Sequence, residues 1–372
     1  MIRVLIVDDS AVVRAVLSRE LGKAPDIKVV GAAPDPYVAR EMIAAQRPDV
    51  ITLDMEMPRM DGLSFLRQLM RHFPLPVVVV SSITPRGSAL ALDALNAGAF
   101  DVLAKPDGTA HAVGDLVTNL IERVRAAALV DPRKLVARAA AQASAAPLAA
   151  GPVTKSRLGA ATHHVVAIGA STGGTVAVES VLRALPADAP GTVVTLHMPP
   201  GFTKSYAERL STTCRIGVRE ARDGEPVLQG VALIAPGNRH MKLVASGASV
   251  VVSLSDDAPV NRHRPSVDVL FHSAAQQLGA KVLGVILTGM GADGAAGLLE
   301  LRRAGGATMA QDEASCVVFG MPRAAIELGA AEEVLSLDQI PARILARIHE
   351  RTQAAFTPQA APSAPRASWT PR

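Results

Sequence analysis

Short apolar, β-rich runs recur along the first 125 positions: Arg3 to Val7, Lys28 to Gly31, Val50 to Leu53, Val77 to Val80 and Asp101 to Ala104. Between them lie longer stretches with the spacing of helices, so strand and helix alternate five times. This predicts a flavodoxin-like, doubly wound (βα)5 domain over residues 1–125. The alternation returns over residues 162–348, with apolar runs beginning at Val165, Thr192 and Val282, and predicts a second, mainly parallel α/β domain. Ala-rich sequence with Pro, Ser, Arg and Lys fills residues 126–161 and reads as a linker, its first part continuing a helix near Ile121 to Ala128. Residues 349–372 read as a disordered tail, with four prolines and the lone Trp369 after Thr357.

Composition narrows the class. The 372 residues suffice for two domains, and with aromatics at only 3% the cores must be built from Ala, Val, Leu and Ile. The net charge of +4 is spread along the chain rather than clustered with aromatics, so nucleic acid is not indicated as a partner. Cys214 and Cys316 have neither metal-ligand nor redox spacing and read as buried thiols of a reducing compartment. Met1 runs straight into a strand, so no secretory leader is expected. No apolar stretch reaches the roughly 18 residues of a membrane span. The expectation is a soluble cytoplasmic protein without membrane insertion.

The chemistry sits at strand ends. In the second segment, Gly169 to Gly173 forms Gly-x-Ser-x-Gly directly after a buried run, which presents Ser171 on a sharp strand-to-helix turn. A glycine-rich loop there is as often a phosphate cradle, but neither Gly-x-Gly-x-x-Gly nor a following Lys-Ser/Thr is present, which leaves a nucleotide as the second reading. His197 follows the run Thr192 to Leu196, and Asp293 lies in the glycine-rich block Thr288 to Gly294. Each has a plainer role available: His197 as a surface or capping residue, Asp293 as N-cap of a helix starting near Gly294. Parallel strands share one carboxyl edge, so Ser171, His197 and Asp293 can converge into a triad. His163, His164, His240, His263 and His272 compete as bases, and Arg262-His263-Arg264 is either a solvated loop or an attractor of acidic groups.

In the first segment the strand ends carry Asp8, Asp9, Asp54, Ser81 and Lys105. Three carboxylates at one edge repel unless a divalent cation joins them, and oxygen-only ligands suit Mg²⁺. Helix capping by Asp9 or Ser10 is the alternative, though it leaves Asp54 and Lys105-Pro106 without a role.

This acidic pair, central aspartate, hydroxyl and Lys-Pro resemble a response-regulator receiver domain. The resemblance implies that Asp54 accepts a phosphoryl group, Asp8, Asp9 and Asp54 hold Mg²⁺, and Ser81 and Lys105 sense and pair with the phosphoryl group. Val102 stands where receivers commonly carry an aromatic switch residue. The blocks Ile168 to Gly174, His197 to Thr203, Ala235 to Met241, His263 to Asp268, Thr288 to Gly294 and Gly320 to Pro322 resemble CheB, a family of chemotaxis response regulators with a protein-glutamate methylesterase domain. Leu196 replaces the usual glutamine before the histidine. The resemblance implies hydrolysis of glutamate γ-methyl esters on methyl-accepting chemoreceptor helices, with methanol released, and deamidation of receptor glutamines. Ser171 would be the nucleophile, His197 the base and Asp293 its orienter, with backbone amides of Thr172 and Met290 as the oxyanion hole and no cofactor for the ester reaction. A chemotaxis histidine kinase would be the phosphodonor. A receiver packed over Ser171 would block a bulky protein substrate until Asp54 is phosphorylated.

Overall fold

The computed structural model describes residues 1–82, 84–105, 110–144, 162, 164–247 and 249–356. Strands β1 (Ile2–Val7), β2 (Ile27–Ala33), β3 (Val50–Asp54), β4 (Val77–Ser81) and β5 (Asp101–Ala104) form a parallel sheet in the order β2-β1-β3-β4-β5. Helices α1 (Ala11–Leu21), α2 (Pro36–Gln46), α3 (Gly62–His72), α4 (Pro85–Asn96) and α5 (Ala110–Ala127) alternate with them. Every residue of β3 and β4 is buried, which is why these strands read as unbroken apolar runs rather than alternating ones. The helices start where caps stand: Asp35 accepts the amides of Tyr37 and Val38 ahead of Pro36, and Asp61 accepts that of Ser64.

The second sheet has seven strands, all parallel, in the order β14-β13-β12-β6-β7-β9-β8. Its elements run β6 (Val165–Ala170), α7 (Gly174–Ala184), β7 (Gly191–Leu196), α8 (Phe202–Thr213), β8 (Gly217–Glu220), β9 (Val231–Ile234), β10 (His240–Ser246) and β11 (Ser249–Ser255). After these come α9 (Val267–Gln277), β12 (Val282–Ile286), α10 (Ala295–Arg303), β13 (Ala307–Gln311), α11 (Met321–Glu327), β14 (Glu333–Leu335) and α12 (Ile340–Phe356). Strands β10 and β11 pair antiparallel as a separate hairpin against α9. Central β6 sends the chain to β7 on one side, and the later return to β12 lies on the other. Its carboxyl end is therefore a topological switch point, where an open α/β sheet forms a crevice.

Two expectations about boundaries need correction. The Ala-rich segment expected as a linker contains α6 (Pro132–Ser144), in which alanine favours helix and the fully buried Leu135 docks it. The segment expected as a tail from residue 349 begins as helix, α12 continuing to Phe356. Residues 145–161 and 357–372, Trp369 among them, lie outside the described residues. No helix among the described residues is long and apolar enough to cross a membrane. Cys214 and Cys316 are free and buried, and burial pushes their thiols up to about 11 and about 12.

Candidate active site

Ser171 and His197 are brought together by strand register. Ala170 at the end of β6 pairs with Leu196 at the end of β7, so the next residue on each strand is Ser171 or His197, and the His197 amide donates to Ala170 O. On the other flank of β6, Ser171 N donates to Thr288 O just past β12. The crowding here demands glycine at two points. A Cβ on Gly289 would lie 2.8 Å from Ser171 Cβ and 2.3 Å from Met321 Sδ, and Gly173 ends the turn at φ 77° with Val317 where its Cβ would be.

Asp293 joins them from the same edge. Its Oδ2 lies 2.8 Å from His197 Nε2, and the two side chains are only 1% and 3% exposed. It also accepts from Ser266 Oγ at 2.7 Å, Asn261 Nδ2 at 2.7 Å, Val267 N at 2.6 Å and Asp268 N at 3.3 Å. The capping role open to Asp293 is thus real but serves α9, while α10 is capped by Gly294. Burial alone would raise this carboxyl, but the His197 hydrogen bond and charge, with the other donors, outweigh it and hold Asp293 well below the usual range. The bond to Nε2 leaves Nδ1 as the second ring nitrogen of His197, and Nδ1 is buried without a hydrogen-bond partner. Among the described residues no hydrogen bond engages the amides of Thr172 or Met290.

The competing histidines separate by position. His240 is fully buried and structural, its Nε2 on Ala258 O and its Nδ1 accepting from Ser266 N. His272 pairs with Glu300, and His164 lies just before β6, at the opposite edge from Ser171. His163 lies outside the described residues. His263 instead stacks flat on His197, with ring centroids 3.7 Å apart and planes 16° apart. Sequence reading had no means to find this contact, nor the bridging Asn261 or Ser266, because all three lie on the irregular connection between β11 and α9.

The first sheet assembles its own cluster. Ligand oxygens of Asp8, Asp9 and Asp54 lie within 4.8 Å of one another, a hard, oxygen-only set that fits a divalent cation. Lys105 Nζ contacts Asp54 at 2.7 Å and Asp8 at 3.0 Å. Burial raises the Asp54 carboxyl despite Lys105, and Lys105 is raised because Asp54 and Asp8 outweigh its own desolvation. The helix cap is Ser10, leaving Asp9 exposed. Ser81, last in β4, donates its hydroxyl to Gly87 O in the first turn of α4. Val102 is buried in the core.

The two units meet at Thr172, the residue after Ser171. Thr172 Oγ1 donates to Asp101 Oδ2 at 2.7 Å, and Arg123 of α5 holds the same oxygen at 3.1 Å. Arg209 of α8 pairs with Asp93 of α4, and Arg262 pairs with Glu122 of α5. The docked face is thus α4, β5 and α5 rather than the mouth of the first sheet, with Asp101 at the amino end of β5. A cleft of about 960 Å³ remains between α5 and the stretches Asn261–His263 and Met290–Asp293.

The chain is also similar to known proteins. A family profile described as CheB methylesterase matches residues 166–344, and one described as response regulator receiver domain matches residues 4–113. A protein-glutamate methylesterase/protein-glutamine glutaminase of Paraburkholderia xenovorans (strain LB400) is 54% identical over 350 residues, covering 93% of this chain and 96% of that one. Another, numbered 4, from Anaeromyxobacter dehalogenans (strain 2CP-C) is 56% identical over 344 residues, covering 92% and 94%. Among solved structures, the CheB methylesterase catalytic domain of Thermotoga maritima is similar at 42% identity and TM-score 0.49, covering 50% of this chain and 99% of that one. The response regulator domain of Thermotoga maritima CheB is similar at 43% identity and TM-score 0.33, covering 36% and 99%.

Proposed function

Because this chain belongs to the CheB family of methylesterases with a receiver domain, we propose that it is a receiver-gated protein-glutamate methylesterase and glutaminase whose catalytic residues are Ser171, His197 and Asp293. It hydrolyses glutamate γ-methyl esters to methanol and carboxylate, and glutamine side-chain amides to ammonia and carboxylate. Its substrates are the cytoplasmic helices of methyl-accepting chemoreceptors.

The observation that carries the triad is the divided histidine. Asp293 accepts the Nε2 proton of His197 as a hydrogen bond, which leaves the Nδ1 lone pair buried and unpartnered in a residue level with Ser171 in register. Nδ1 is the base in this reading. It takes the proton from Ser171 Oγ as that oxygen attacks the ester carbonyl, and returns it to departing methoxide. Asp293, held ionised by its five donors, steadies the imidazolium formed between these steps. The free amides of Thr172 and Met290 receive the tetrahedral oxyanion, a role in which one donor is worth roughly 10²- to 10³-fold in rate. Water then repeats the cycle on the acyl-serine and frees the glutamate.

Gating rests on the docked face. A helix about 10 Å across would fill the 960 Å³ cleft in roughly two turns, so a receptor helix needs the receiver displaced. Asp54 is the phosphoryl acceptor, supplied by a chemotaxis histidine kinase. When bound, Mg²⁺ held by Asp8, Asp9 and Asp54 would offset the negative charge of the phosphoryl group. Lys105 pairs with that group, and the Ser81 hydroxyl, turning towards it, leaves Gly87 O and loosens the start of α4. Helix α4 packs on α7 and α8, so its shift weakens the face that covers Ser171.

Methanol release from methylated receptor membranes, with and without acetyl phosphate and Mg²⁺, tests both parts. Release raised by the donor and abolished in Ser171→Ala is expected. Release that survives Ser171→Ala would discard the triad, and release indifferent to the donor would discard the gate.

A further inference from the structure

The contact between His263 and His197 has no place in the triad as described. The loop that carries His263 is built for it. Asn261 and Arg262 both take positive φ, 51° and 64°, a conformation in which non-glycine residues are uncommon. Asn261 Nδ2 donates at 2.7 Å both to Asp293 Oδ1 and to Asp268 Oδ2, which pins the loop to the triad carboxylate. The next residue but one then lays its ring on His197.

We propose that His263 is a positioning residue for the hydrolysis: its imidazole face fixes the plane of the His197 ring and stabilises the imidazolium that His197 becomes as Ser171 attacks. The inference rests on the reading of Ser171 and His197 as nucleophile and base. One hydrogen bond to Asp293 fixes His197 at a single nitrogen and by itself leaves rotation of the ring about that contact unrestrained. A ring 3.7 Å away across its face removes this freedom. A neutral aromatic face also attracts a cation. His263 meets the requirement of neutrality, because burial and the neighbouring His197 push it down to about 3, against the pull of Asp293. Among the described residues its ring makes no hydrogen bond, so its face is what it offers the site. The attraction exists only while His197 is charged, so it favours the transition state over the ground state and acts on kcat.

The test compares aromatic with aliphatic replacements in the full chain, activated with acetyl phosphate and Mg²⁺, on methylated receptor membranes. His263→Phe should keep kcat within about threefold of wild type, while His263→Leu and His263→Ala should lose roughly tenfold or more, with KM within about twofold throughout. Equal kcat for Phe and Leu, or undiminished kcat for Ala, would overturn the proposal. Thermal unfolding is recorded for each variant, and His263→Met replaces Leu if Leu unfolds early. Ser171→Ala in the same assay separates the two readings. Activity surviving in Ser171→Ala removes the nucleophile assignment, whereas serine-dependent activity with equal Phe and Leu rates removes the stack alone.

Discussion

Asp54 and Asp293 both lie buried at the carboxyl edge of a parallel sheet, yet their surroundings drive them in opposite directions. Asp54 has Lys105 at 2.7 Å and the Glu56 amide at 3.3 Å, with the like charge of Asp8 close by, and burial leaves its carboxyl raised. Asp293 is as dry but accepts from His197, Asn261, Ser266 and two amides at the start of α9, and it is lowered. A carboxylate has about four lone-pair positions, so five donors saturate it. Burial therefore does not set the character of a carboxylate; the supply of donors does. Asp54 keeps oxygen capacity free, as its proposed role of phosphoryl acceptor requires. Asp293 has none to spare, and in the proposed triad its charge orients and stabilises His197.

The sharpest break in this comparison is Asp293→Asn. The amide keeps the shape but presents N–H groups to neighbours that are themselves donors, and it no longer selects the proton on Nε2. A fall in donor-stimulated kcat of roughly 10⁴-fold is expected, measured as methanol release. A loss of tenfold or less would mean that the anion is dispensable and that the five donors merely tie down a loop.

Asp101 is a third carboxylate and belongs to neither role. It spans the two units, held by Arg123 on one side and by the hydroxyl of Thr172, next to Ser171, on the other. In Asp101→Asn the bond to Thr172 becomes a neutral one, about half as strong. Hydrolysis by the unphosphorylated chain should rise roughly threefold to tenfold, and the ratio of donor-stimulated to basal rate should shrink. An unchanged basal rate would move the latch elsewhere on the α4–β5–α5 face.

The legible part of this molecule was the part that strands dictate. Buried apolar runs announce parallel strands, and the residue after each run must lie on the shared carboxyl edge; Ser171, His197, Asp54 and Lys105 were all placed in this way. The α6 helix was hidden because an Ala-rich stretch suits linker and helix alike, and the buried Leu135 decides between them. Asn261, Ser266 and His263 were hidden because they come from an irregular connection, where only the folded chain shows what each residue touches. Asp101 was hidden for another reason. It starts a strand rather than ending one, and no pattern marks that end of β5 as the meeting point of two units.

The smallest effect concerns acid and separates the neutral ring from the anion it sits beside. His263 in the unfolded chain takes up a proton near pH 6.5, whereas in the fold it does so only at about 3. Between those values the unfolded state binds the extra proton, so falling pH favours unfolding, and the stability that the neutral ring confers is fully present only above about pH 6.5. Asp293 acts in the same direction but later, since its unfolded carboxyl protonates only near 3.8. Scans of thermal midpoint against pH should therefore fall from pH 6.5 towards 4 in wild type, and His263→Phe, with nothing to titrate there, should fall by several degrees less over that window. Parallel curves would mean that the His263 ring charges in the fold as readily as in the unfolded chain. His197 would then become an imidazolium beside a second cation rather than a neutral face, and the stack would oppose the reaction instead of assisting it.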